Sequence, residues 1–204
     1  SCEAVWVLNN DVVVEPTSLS ALVSELRAGP AIVGSRILNY DNGSLQLAGG
    51  SRYHRYSGKS QPLDRGQATN GQLDCISGCA MLLSRALLDD LGGFSEDYFL
   101  YYEELDLAIR AESAGYGLGY ADDSVVYHRH GASTGKSTLA DFYLMRSRLR
   151  FTRKFFPSCY PAVLISVFLT GSYRLFCGRW RSAWWIYRLM LNPGLQYQSA
   201  APGG

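Results

Sequence analysis

After Asp141 the 204-residue chain contains no acidic residue at all. Residues 142–204 hold 9 Lys/Arg and no Asp/Glu, whereas residues 1–141 hold 10 against 18, so the net charge of +1 conceals a balance of −8 followed by +9. A cationic segment with no interleaved acid is unlike an ordinary solvated face and suits an anionic partner, either a membrane surface or nucleic acid. Its aromatics, among them Phe168, Phe176, Trp180, Trp184, Trp185 and Tyr187, are interfacial residue types. The expectation is therefore a peripheral membrane surface and no nucleic acid.

Cysteine is sparse as well. The five cysteines (2, 75, 79, 159 and 177) are odd in number and scattered. Cys75 and Cys79 have no second pair to complete a zinc site, so buried, reduced thiols in a cytosolic protein are expected. No signal peptide is visible, and no apolar run reaches the roughly 20 residues a spanning helix needs. Residues 162–173 are a dozen mostly apolar positions before Arg174, which reads as a core or interfacial helix, with a tilted or re-entrant insertion left open. No internal repeat occurs. With 47% apolar and 13% aromatic residues, the chain is globular: one domain, or one domain plus a tail.

Strands and helices alternate along it. Residues 4–8 form a continuous apolar run, as a strand covered on both faces would. Thr17 or Ser18 caps a helix whose Leu19, Leu22, Val23 and Leu26 recur at helical spacing, closed by Gly29 and Pro30. Residues 31–38, 45–48, 73–76, 80–83, 116–120 and 125–128 read as strands, and Ser84 caps a short helix. Residues 49–72, polar and without periodicity, read as a long loop. Residues 138–156 predict an amphipathic helix with Arg146, Arg150 and Arg153 on one face, followed by two further helical stretches. This alternation predicts an α/β fold with a mostly parallel sheet, whose ligands sit beyond strand carboxyl ends.

Three polar clusters stand where such a site belongs. Glu103-Glu104-Leu105-Asp106 puts three carboxylates at a helix start, where free N–H groups and the macrodipole offset their repulsion. Asn9-Asn10-Asp11 and His128-Arg129-His130 each end a strand. Acid, strand-end carboxylate and strand-end histidine are the parts of a metal-assisted group transfer. Residues 131–137, GASTGKS, imitate a phosphate-binding P-loop but place three residues between the glycines where the motif needs four.

These motifs, together with Ser77-Gly78-Cys79-Ala80 and Gly92-Gly93-Phe94, follow one another as in the family 2 glycosyltransferases of GT-A fold. The chain most resembles the bacterial rhamnosyltransferase-like branch that builds cell-surface polysaccharide, over roughly residues 4–157. The resemblance implies a Rossmann-like GT-A sheet flanked by helices, with its first strands lying upstream of Ser1. It implies a partial catalytic domain over residues 1–137, with donor metal site and acceptor half, and a basic helical region over 138–204.

The resemblance also assigns roles. Asp11 and His128 would hold a divalent metal, Mg²⁺ or Mn²⁺, with Asn9 and Asn10 beside it on the donor. Glu104 stands at the catalytic base position, where the family has Asp, and Glu103 is the alternative base. Ser77, Gly78, Arg129 and Ser133 would contact the donor, and Asp74 and Asp106 the acceptor. Asp106 also stands four residues before Arg110, so an ion pair on the same helix face is an equal reading. The implied activity is inverting transfer from a dTDP- or UDP-sugar to a glycan or lipid-linked acceptor, at the cytoplasmic face of the plasma membrane. The alternative is a catalytically inactive sugar- or membrane-binding module of the same fold.

Overall fold

A computed structural model describes residues 2–69, 72–129 and 137–197. The chain divides into two compact units. The first comprises residues 1–54, 60–97 and 103–132; the second comprises 55–59, 98–102 and 133–204.

The first unit is built on a mixed sheet. Strands β1 (Ala4–Leu8), β2 (Val12–Val14), β3 (Ile32–Asn39), β4 (Leu45–Ala48), β8 (Ala80–Ser84) and β9 (Leu118–His128) form it, in the order β1-β8-β3-β9-β2 with β4 beside β3. A second, three-stranded sheet joins β5 (Gly50–His54), β6 (Lys59–Pro62) and β7 (Cys75–Ile76). The α/β class is as expected, but the strand directions are not. Only β3 and β9 run parallel; β1, β2, β4 and β8 each pair antiparallel to a neighbour. Apolar runs betray burial on both faces and say nothing of direction, which the connections decide.

Side-chain alternation sorts the core onto two faces of the sheet. Ile32, Met81 and Leu83 point to one side, where Leu87 of α3 (Arg85–Leu91) and Leu107 and Ala111 of α4 (Glu103–Ser113) cover them. Val33 and Leu82 point to the other, under Leu22 of α1 (Ser18–Arg27). Ser84 caps α3 as its sequence predicts, accepting from Leu87 N at 3.2 Å. Neither residue proposed to cap α1 does so through its side chain. Thr17 occupies the position without a side-chain bond, and Ser18 turns inward to donate to Val125 O at 2.7 Å.

Two expectations are revised. The stretch read as a loop contains β5, β6 and a short helix, α2 (Arg65–Thr69). All four residues of β6 are exposed, so its ladder rests on backbone pairing that leaves no apolar period to read. The two strands read at 116–120 and 125–128 are one, β9, whose register against β3 slips where Ala121 faces Ser35 and Val125 faces Arg36. Two of the intervening residues find partners: Asp122 binds Arg65 and Tyr120, and Ser124 Oγ lies 2.8 Å from Ser35 Oγ. That satisfaction keeps Asp122 and Ser124 inside the strand, while Asp123 is exposed to solvent.

The second unit is helical. It contains α5 (Thr138–Phe155), a 3₁₀ turn (Pro157–Cys159), α6 (Tyr160–Phe176) and α7 (Trp180–Leu191), packed around Phe142, Leu149, Val163, Val167, Ile186 and Leu189. Ser137 caps α5, accepting from Ala140 N at 3.1 Å. The apolar stretch is longer than its composition indicates. Pro161 sits in the first turn of α6, where its missing N–H is no loss, so Pro157–Phe176 forms 20 residues long and apolar enough to cross a membrane. The most buried cation was not foreseen either: Arg148 is enclosed and bonds the carbonyl of Ser57 and Ser166 Oγ.

Candidate active site

Asp11 and His128 meet because of one strand pairing. β2 runs antiparallel to β9 with Val12 opposite His128, and Arg129 N donates to Asp11 O at 3.0 Å. Asp11 Oδ1 thereby lies 3.3 Å from His128 Nε2, both side chains mostly enclosed. The other ring nitrogen, Nδ1, is 3.1 Å from Gln46 Oε1 on β4. Gln46 thereby orients the imidazole from the side away from Asp11. Gln46 lies in a strand without a sequence signal, so this orienting partner was missed.

Does this pair fit a divalent cation? Asp11 Oδ1 is sealed from solvent and makes no hydrogen bond among the described residues. A sealed carboxylate oxygen beside an imidazole nitrogen is a pair of ligand atoms that a bound cation would satisfy. Two ligands at ~2.1 Å from one octahedral ion stand about 3 Å apart, close to the separation found. The described residues contain no group of three ligating side chains. The pair therefore fits a cation that takes its remaining ligands from water and phosphate oxygens, as Mg²⁺ commonly does.

The carboxylates of α4 form the second cluster. Tyr101 and Tyr102, with φ of 68° and 72°, turn the chain into the helix through a conformation that bulky residues rarely adopt. Glu103 and Glu104 follow. The two are hydrogen-bonded to each other, and one oxygen of each, Oε2, is sealed and without a partner among the described residues. Burial, reinforced by the charge of Glu103, pushes the Glu104 carboxyl up to about 7. Burial also raises Glu103, against a backbone hydrogen bond and the bond from Glu104, both of which lower it.

Asp106 is different. It is wholly buried, bonded to Arg110 Nε at 2.7 Å, and Arg110 reaches on to the carbonyls of Leu91 and Gly93 at 3.0 and 2.8 Å. The ion pair of the alternative reading is present, and it ties α4 to the turn after α3. Its carboxylate offers no free face to an acceptor. Asp74 is half-buried and accepts from Tyr53 N at 2.7 Å. It lies towards α4, where burial and then its charge raise Glu112.

One short segment borders both clusters. Burial raises the Cys75 thiol, and the next causes are the charges of Glu104 and Glu103; burial also pushes Cys79 up to about 12, with Asp11 second. Residues 75–79 therefore have the glutamates near one end and the aspartate near the other. Asn9 N donates to Cys79 O at 3.0 Å, and Ser77 N to Gly49 O at 2.9 Å, fixing that segment against β1 and β4. Neither cysteine was read as part of a site. A Cβ on Gly78 would meet open space, so packing within the protein does not require glycine there. Gly50 is required: a Cβ would fall 1.7 Å from Cys75 O, and only its absence lets β5 lie on β7.

Asn10 is exposed beside Asp11, and Arg129 stacks its guanidinium on Tyr40, 4.5 Å from the ring centre. Ser133, with His130 and Lys136, lies outside the described residues.

The sequence model of the family described as "Glycosyltransferase like family 2" matches residues 2–147. The N-acetylglucosaminyl-diphospho-decaprenol L-rhamnosyltransferases of two Mycobacterium tuberculosis strains, CDC 1551 / Oshkosh and ATCC 25618 / H37Rv, are each 38% identical over 61 residues, 30% of this chain and 20% of theirs. The O-antigen biosynthesis protein RfbC of Myxococcus xanthus is 28% identical over 165 residues, 74% of this chain and 13% of its own. The matched stretches span a fifth or less of these relatives.

Proposed function

The chain belongs to the family 2 glycosyltransferases, and from that premise we propose that it forms the metal-binding and acceptor half of an inverting sugar transferase. The donor is a nucleotide sugar, a dTDP- or UDP-sugar, and the acceptor a hydroxyl of a glycan or lipid-linked sugar in polysaccharide assembly. One relative is named for a decaprenol-linked acceptor and another for O-antigen biosynthesis, which supports this class.

The observation that carries the reading is the burial of the Glu104 carboxyl against that of Glu103. A base that must collect a proton near neutral pH works best with a carboxyl lifted towards that pH, and burial beside Glu103 lifts it to about 7. The ionised Glu104 accepts the acceptor's hydroxyl proton while that oxygen bonds to the anomeric carbon. The bond from that carbon to the diphosphate oxygen breaks on the opposite face, its electron pair leaving with the diphosphate. Asp11 and His128 would hold Mg²⁺ or Mn²⁺, which would supply charge neutralisation for the diphosphate leaving group. Asn9, Asn10, Ser77, Gly78 and Arg129 border the donor, and Asp74 the acceptor.

The complete protein carrying Glu104→Gln tests this. Sugar transfer should fall by 10²–10⁴-fold, the usual contribution of a general base, while nucleotide-sugar binding by calorimetry stays unchanged. Turnover within a few-fold of wild type would reject Glu104 as the base.

A further inference from the structure

Helices α6 and α7 form a hairpin that turns one face inward and leaves the other bare. Val163, Val167 and Gly171 of α6 are enclosed against Ile186 and Tyr187 of α7. On the outer side, Ile165, Leu169 and Phe176 recur at helical spacing and are 64%, 61% and 90% exposed. On α7, Trp180 and Trp184 are exposed as well, each with an arginine over its ring: Arg181 5.7 Å from the Trp180 ring centre and Arg188 4.7 Å from that of Trp184.

We propose that this face docks flat on an anionic lipid bilayer, its apolar stripe among the acyl chains and Arg181 and Arg188 at the phosphates. Several observations select that occupant. A bare stripe of this size marks an interaction surface. Tryptophans with arginines at their edges match the headgroup boundary, where one end of a side chain is dry and the other wet. A second copy of the same face would set arginine against arginine, because no acidic residue follows Asp141. Asp141 cannot help, for it is buried and held by Arg174 at 2.9 Å and Arg179 at 2.6 Å.

Docking differs from crossing. The helical stretch Pro157–Phe176, 20 residues, is long enough for either. Its inner face is already taken by α7, which brings Arg181 and Arg188 alongside. Lying in the interface leaves those arginines at the headgroups, whereas spanning would draw them into the hydrocarbon. This inference stands on the helical unit alone and does not rest on the transferase reading.

The test is vesicle co-sedimentation of the 204-residue chain. Binding to phosphatidylcholine vesicles containing phosphatidylglycerol should exceed binding to pure phosphatidylcholine at least tenfold and weaken with added salt. R181E/R188E should remove that preference, and both residues are exposed, so circular dichroism should be unchanged. Independently of any variant, vesicles with lipids brominated near the headgroup should quench tryptophan emission more than those brominated near the chain ends. Equal binding to both vesicles, deeper quenching at the chain ends, extraction resistance to alkaline carbonate, or a stable dimer that masks the face would each overturn the proposal. So would duplex DNA displacing the chain from vesicles at equal phosphate concentration.

Discussion

Val12 stands directly opposite His128 in the β2–β9 ladder, and that register is what delivers the Asp11 carboxylate to within 3.3 Å of the imidazole. The two residues are distant in sequence and joined by a three-residue strand. A slip of one residue would turn one of them to the opposite face.

Metal binding should depend on both partners. Asp11→Asn and His128→Ala are each expected to weaken Mn²⁺ binding by 10–100-fold, and Gln46→Ala to weaken it in the same direction by releasing the ring. Mn²⁺ electron paramagnetic resonance reads this without any turnover. Affinity unchanged in both ligand variants would dissolve the site.

Transfer by the complete protein should rise with pH through about 7, as Glu104 loses its proton. Glu103→Gln removes the like charge that helps hold that proton, so the midpoint should move to lower pH. A midpoint unaffected by the substitution would show that Glu103 does not act on the base.

The same shift has a stability consequence of opposite sign. A carboxyl raised in the folded state favours folding fully below its unfolded value near 4.5, and the benefit disappears as pH climbs through about 7. Glu104→Gln should therefore raise the melting temperature by several degrees at pH 8 and leave it nearly unchanged at pH 4. Calorimetry at the two pH values decides; equal shifts at both would mean that ionisation is not involved.

Asp106→Ala strands Arg110 next to a cavity, and breaking a buried pair in this way should cost about 3 kcal/mol in urea unfolding. Its effect on acceptor KM should be no larger than its effect on KM for the donor. A selective rise in acceptor KM with unchanged stability would restore Asp106 to the acceptor site.

Gly50→Ala should prevent the first unit from folding, since the added Cβ meets backbone and not a movable side chain. A soluble, cooperatively melting variant would show that β5 can move off β7.

How much of this was legible beforehand depended on whether the signal was local. Glu103, Glu104 and Asp106 announced themselves as an acidic helix start, and Asp106 with Arg110 as a four-residue pair. The Ser84 cap and the apolar runs were equally plain, because capping and burial leave marks within a few residues. Gln46, Cys75 and Cys79 left none. Each matters only through something far along the chain: an imidazole 82 residues away for Gln46, carboxylates on another element for the cysteines.

The sequence by itself determined the α/β class, the family, the basic helical end and the residue types available for chemistry, because composition, periodicity and ordered motifs are properties of the chain. Tertiary structure alone decided the strand directions, the joining of two predicted strands into β9, the choice of the ion pair over the acceptor contact for Asp106 and the burial of Glu104 against Glu103. Those outcomes come from hydrogen-bond register and loss of solvent, and both exist only once distant segments have closed on one another.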